Sequence, residues 1–216
     1  LNELNINIRS GICEIDGIKA DNFNFENAKN SEIFALDSNV EDAQKNAILK
    51  AKNSHNSVGG VALINVKNCP VGLGEPIYHK LDAQIANAMM SINAVKAVEI
   101  GDGILASRVL GFDNNDQIRK SGFKTNHSGG ILGGISNGDD INVKVYFKAT
   151  PSIFIEQDTV DIYGNEVKCK LKGRHDPCVA IRGSVVAESM IALVIADMLL
   201  LNMSSKVENI KKVYAK

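Results

Sequence analysis

Residues 190–201 read MIALVIADMLLL, an apolar run broken by the single charge of Asp197. With its flanks the pattern predicts a helix over about 185–203, apolar almost all round. Such a helix has to be covered on most of its sides. The run is well short of the roughly 20 residues a membrane span needs, so it reads as a buried helix and no membrane partner is expected. The strands of this chain come as hairpins. A covered helix among hairpins implies an α+β fold, a layered β-α-β sandwich with helices enclosed between antiparallel sheets.

Working outward, Ile141, Val143, Val145 and Phe147 alternate with Asn142, Lys144, Tyr146 and Lys148, the mark of a strand covered on one face. Strands are also expected over 4–19, 59–66 (GGVALINV), 95–100 and from Ile153 to Ile155, with a hairpin pairing 159–163 and 166–171 around Gly164-Asn165. Ser38-Asn39-Val40-Glu41 reads as a capping box opening a surface helix over about 40–52. Leu81, Ile85, Ala88, Met89 and Ile92 share one face of a helix over about 77–92, with Pro76 in its first turn. Segment 22–39 is a loop with a short helix, and the polar tail 204–216 frays. Neither a repeat nor a linker is visible, so residues 1–216 are expected to form one domain.

The chain has 216 residues, 44% of them hydrophobic, enough for a substantial core. Its 24 Lys+Arg against 25 Asp+Glu form no basic stripe, which argues against nucleic acid as a partner. Cys13, Cys69, Cys169 and Cys178 form no C-x-x-C and no zinc-finger spacing, so they read as buried thiols in a reducing compartment, with no metal site. The chain starts without Met or a secretory pattern and reads as a piece of a longer protein.

Four segments carry candidate chemistry. GLGEP at 72–76 approaches a dinucleotide fingerprint, but Ile77 stands where the third glycine belongs. TNHSGGILGGISNG at 125–138 concentrates glycines, which suits either a tight loop or the approach of a flat ligand, and His127 within it reads as a structural histidine. KATPS at 148–152 offers an ammonium and alternate hydroxyls, a cradle for phosphate or simply a solvated turn. In GRHDPC at 173–178, Pro177 biases Asp176 toward an extended conformation, placing Arg174 and Asp176 on one side as a cation and a proton acceptor. The bland alternative is an Arg174–Asp176 pair closing a turn. Arg182 joins that wall or is solvated.

In this order the segments resemble the chorismate synthase family, through residues 68–103, 121–141, KATPSI at 148–153 and KGRHDPCVAIR at 172–182. The family's usual Ala and Pro after the last Arg are replaced here by Gly183-Ser184-Val185-Val186. The resemblance also implies an N-terminal region, with GESHG-like and HRGG…SSARE-like motifs, that this sequence lacks.

By the same resemblance, the expected activity is an anti 1,4-elimination of phosphate from 5-enolpyruvylshikimate 3-phosphate, giving chorismate for aromatic amino acid biosynthesis. It requires reduced FMN, with flavin reduction by a partner or by an intrinsic NADPH activity, in a cytoplasmic homotetramer. The implied FMN contacts are Asn93, Ala94, Gly133, Lys148, Ala149, Thr150, Pro151, Ser152 and Arg174. Arg174 also faces substrate, and Asp176 handles a proton near the flavin. The alternatives are a catalytically incomplete, oligomerising FMN-binding half and a generic nucleotide-binding module, the latter disfavoured by the incomplete GLGEP.

Overall fold

The computed structural model describes residues 1–215. Strand β1 (Asn7–Ile15) turns at Asp16-Gly17 into the short β2 (Ile18–Lys19), followed by α1 (Phe25–Asn30) and α2 (Ser38–Asn53). Next come β3 (Gly60–Lys67), α3 (Leu81–Met90) and β4 (Val95–Ile100). Two small hairpins, β5 (Ile118–Arg119) with β6 (Gly122–Phe123) and β7 (Ile131–Leu132) with β8 (Ile135–Ser136), lead into β9 (Ile141–Phe147). The hairpin of β10 (Gln157–Val160) and β11 (Glu166–Cys169) then precedes α4 (Ala180–Met203) and α5 (Val207–Tyr214).

Five strands form one sheet in the order β2-β1-β3-β9-β4, antiparallel throughout. Its centre is β3, buried from Gly60 to Val66 because both faces are covered. On one face Ala62, Ile64, Val66, Ile141, Val143 and Val145 meet α3 and α4. On the other, Val61, Leu63 and Cys13 pack with Ala28, Leu36 and Phe25. A register shift between Ile12 and Glu14 absorbs one residue, so that Ile12 and Ile15, three apart, both join the helix-side core.

The mixed class of helices and antiparallel sheet is as expected, and β9 alternates buried and half-buried as its sequence does. Helix α4 takes its cover from the sheet and from α3. Its buried positions, Ala187, Ile191, Ile195 and Met198 among them, fall three or four apart and face the sheet, while Leu193, Leu200 and Met203 are exposed. The described residues supply a sheet on one side of this helix. At 24 residues it is also long and apolar enough to cross a membrane by length and composition alone, contrary to the shorter reading; its buried stripe packs on the sheet.

Other local expectations are corrected. The cap of α2 is Asp37, whose Oδ1 accepts the Asn39 N–H at 3.0 Å, while its other oxygen accepts the Asp21 and Asn22 amides. Glu41 therefore turns to Ser31 and Lys45 instead of closing a box, and Gln44, Ile48 and Ala51 are buried rather than on the surface. Helix α3 starts only at Leu81, because Glu75 and His79 exchange two backbone bonds and form a turn around Pro76. No strand forms at 153–155, where the Phe154 amide is drawn to the His55 carbonyl instead. Most of the tail is helical as α5, without a buried residue; Lys216 lies outside the described residues.

Candidate functional site

The C-terminal end of β9 is where most of the expected site residues meet. Residues 148–152 leave the sheet there, tied down when the Lys148 amide donates to the Ala94 carbonyl at 2.9 Å. Ala94 takes φ +74° to make that turn after α3, so Asn93 and Ala94 border the 148–152 loop directly. Among the described residues, the Lys148 ammonium and the hydroxyls of Thr150 and Ser152 have no hydrogen-bond or ion-pair partner. They are free to meet an anion.

The Gly173–Cys178 corner lies at the same end, because the Val58 amide donates to the Pro177 carbonyl at 2.8 Å. Here the expected alternatives resolve unexpectedly. Asp176 pairs with Arg182, Nε to Oδ2 2.7 Å, and not with Arg174, which is exposed and has no ion pair among the described residues. Apart from that ion pair, the buried Asp176 Oδ2 has no hydrogen-bond donor among the described residues. His175 Nε2 is likewise buried without a partner, its ring edge-on to Phe154 at 5.1 Å. A space of about 30 Å³ lined by Ser152, Phe154, His175 and Asp176 lies between the two segments, room for a single water. Beside it opens a mostly apolar cleft of about 450 Å³, bordered by Asn93, Phe147, Arg182 and Met190. Gly183 lets α4 pack directly on one wall of the cleft, since a Cβ there would sit 2.5 Å from the Phe147 ring.

Gly133 is not part of this cluster. It forms the β7–β8 turn with Gly134, both at positive φ, and the Gly134 carbonyl accepts the Leu81 amide at the start of α3. The length of α3 puts it about 15 Å from Asn93, at the other end of the sheet. Its neighbours explain themselves within the chain. A Cβ on Gly134 would strike Lys80, and one on Gly129 would come 2.3 Å from the Gly101 nitrogen. Of the two glycine pairs, only Gly133 faces open space. Of the GLGEP glycines, Gly74 also serves the chain, for a Cβ on it would lie 2.2 Å from the Gly134 carbonyl, while Gly72 takes φ +96° in open space.

His127 is structural in its contacts, its Nδ1 held 2.7 Å from Asp102 Oδ2. Its loop is anchored by Asp116, which accepts from the backbone of His127 and Ser128 and from the hydroxyls of Thr125 and Ser128. Partial burial raises the Asp116 pKa, but these donors outweigh it and hold the carboxyl at about 2 against an ordinary 3.8. A depressed folded-state pKa gives stability that is present above about 3.8 and lost as pH falls through about 2. Discounted for solvent screening, the effect is about 1 kcal/mol. Wild type should therefore melt about 2–4 °C above Asp116→Asn at pH 6 and lose that advantage near pH 2, read by thermal denaturation across pH.

A sequence model of the family described as chorismate synthase matches residues 1–200. The chain belongs to the chorismate synthase family. Proteins named chorismate synthase from Aliarcobacter butzleri (strain RM4018) and Sulfurimonas denitrificans (strain ATCC 33889 / DSM 1251) are 82% and 63% identical to it over 216 residues. A crystal structure of a chorismate synthase superposes with a TM-score of 0.77 at 31% identity, covering 94% of this chain. The chain spans 60% of the length of these relatives and of that structure. Within this chorismate synthase-family chain, sequence reading left the Asp176–Arg182 pair open and passed over His55–Gly59. The signal available for the latter was a small polar residue followed by two glycines at a strand start, Ser57-Val58-Gly59-Gly60.

Proposed function

We propose that the protein carrying this chain is a chorismate synthase, a lyase that expels the 3-phosphate and a ring proton of 5-enolpyruvylshikimate 3-phosphate in an anti 1,4-elimination. The observation that carries the reading is the meeting, at one end of β9, of free phosphate-binding donors with a buried carboxylate oxygen beside an apolar cleft. The residues fit FMN chemically: Lys148, Thr150 and Ser152 have unused donors for its phosphate, and Asn93 borders a cleft of about 450 Å³ for its ring. When bound, the reduced flavin supplies electron density as the carbon–oxygen bond breaks.

The chain's own residues do the rest. Arg174 is an unpaired cation facing outward, suited to stabilise charge that builds on the departing phosphate. Asp176 accepts a proton, with Arg182, whose Nε lies 2.7 Å from Oδ2, holding the carboxylate in place. Phe147 and Met190 wall the cleft and exclude water. The same reading takes from the family resemblance a homotetramer in the cytoplasm, in which Gly133 would reach a site across the assembly. Flavin reduction is by NADPH or by a separate reductase.

The test is fluorescence titration with FMN, with and without substrate, followed by an anaerobic chorismate assay. The full-length protein should bind and turn over. The 216-residue chain alone should show negligible turnover, because the histidines and most of the arginines that the family resemblance calls for are not in it. Full activity from this chain by itself would overturn that distribution of roles. The second reading, a folded FMN-binding half, is favoured by the exposed outer face of α4 and predicts binding without turnover.

A further inference from the structure

The two parts of the candidate site are far apart in the chain. Beyond Phe154, whose ring lies against His55 and His175, the backbone leaves the body as the β10–β11 hairpin, exposed at every strand position and paired only with itself. That hairpin cannot set the distance between the phosphate cradle and the Arg174–Asp176 corner. A different segment reaches both. The Ser57 hydroxyl donates to the Thr150 carbonyl at 2.7 Å, and the next residue's amide, Val58 N–H, donates to the Pro177 carbonyl at 2.8 Å. Two residues earlier, the His55 carbonyl accepts the Phe154 amide at 3.2 Å, and its ring meets Phe154 edge-on at 6.0 Å. Two residues later, Gly59 lies so close under the loop that a Cβ would sit 2.8 Å from the Phe147 carbonyl and 3.3 Å from the Ala149 nitrogen.

We infer that Ser57 is a positioning residue, the side-chain member of a clamp from His55 to Gly59 that holds the Lys148–Ser152 cradle at a set distance from Asp176. The functional part of the inference rests on the reading proposed above. Ser57 bonds the backbone of Thr150, so the bond fixes which way the loop faces while the Thr150 hydroxyl stays available. The other clamp contacts are made by backbone groups, an aromatic edge or the absence of a Cβ. Asn56 Oδ1 accepts only the Ser57 amide within the clamp, so Ser57 is the clamp side chain whose hydrogen bond reaches the cradle and that substitution can remove without disturbing the main chain.

The test uses the full-length protein and the substitutions Ser57→Ala and Ser57→Thr. Ser31→Ala is the control, since Ser31 is also hydrogen-bonded but lies by α2, away from the site. Loss of one such bond should raise amide hydrogen exchange across 148–154 about tenfold in Ser57→Ala and weaken FMN binding by a similar factor, with Ser57→Thr restoring both. Ser31→Ala should lower the melting temperature and change neither. If Ser57→Ala does not fold, Ser57→Cys, which keeps the size and weakens the bond, takes the same readouts. Unchanged exchange at 148–154, an equal effect of Ser31→Ala, or no rescue by threonine would overturn the clamp. Wild-type protein that fails to bind FMN would overturn the proposed function, while the exchange comparison still decides whether Ser57 holds the loop.

Discussion

Gly101→Ala is expected to yield no soluble, folded chain. A Cβ at this position would sit 2.1 Å from the His127 carbonyl oxygen and 2.6 Å from the Gly129 nitrogen, all backbone atoms that cannot swing aside. Gly101 also holds φ +60°, which costs alanine about 1–2 kcal/mol before any clash. The main chains of 101–102 and 127–129 cross here in contact, held directly by the Asp102 amide on the His127 carbonyl at 2.9 Å and, through β9, by the Gly101 amide on the Asn142 carbonyl at 3.0 Å. Separating them breaks both bonds and unseats the Asp116 anchor. Overpacking of this kind adds about 3 kcal/mol or more, against a total stability of roughly 5–15 kcal/mol. The comparison is Gly17→Ala, also at positive φ but with open space around it, which should cost about 1 kcal/mol. Soluble yield and melting temperature decide: a Gly101→Ala chain that melts like Gly17→Ala would show that the crossing is looser than described.

Asp176→Asn in the full-length protein should reduce kcat about 10²- to 10⁴-fold while leaving substrate KM within a few-fold. The amide preserves size and shape and removes the proton acceptor. The ion pair with Arg182 makes the alternative concrete, because Asn cannot balance that cation, and a merely structural role would appear as lost stability with kcat and affinity falling together. Arg182→Gln separates the two further. It removes the partner and keeps the acceptor, so under the proposed role it should retain more turnover than Asp176→Asn. Steady-state kinetics and melting curves on the two proteins give the answer.

The fold was most legible where one strand faced one core. The alternation at 141–147 and the apolar run at 61–66 placed β9 and β3, and Gly164-Asn165 marked the turn between β10 and β11. Helix starts were harder, because Asp37 out-competes Ser38 as a cap one residue earlier, and the turn around Pro76 is decided by backbone bonds between Glu75 and His79. What covers α4 was less legible, since its hydropathy says that the helix must be covered and not by what.

At the site, Lys148, Arg174 and Asp176 could be chosen from their chemistry alone. Which cation sits beside Asp176 could not, since the extended geometry that Pro177 implies at Asp176 favoured Arg174 while the chain brings the start of α4 back to it. Ser57 touches Thr150 across 93 residues of sequence, a contact that no local pattern encodes. The second glycine pair reads equally well as a ligand platform and as a hairpin turn, and within one chain it is the turn.

The central strand also dictates how this chain must come together. Residues 60–66 are buried on both faces, yet α4, which shields one of those faces, lies more than a hundred residues away in sequence. Until it docks, GVALINV is a wet, uncharged, β-prone segment with every feature of an aggregation seed. Refolding from denaturant should accordingly be limited by self-association rather than by intrinsic rate, with recovery rising steeply on dilution.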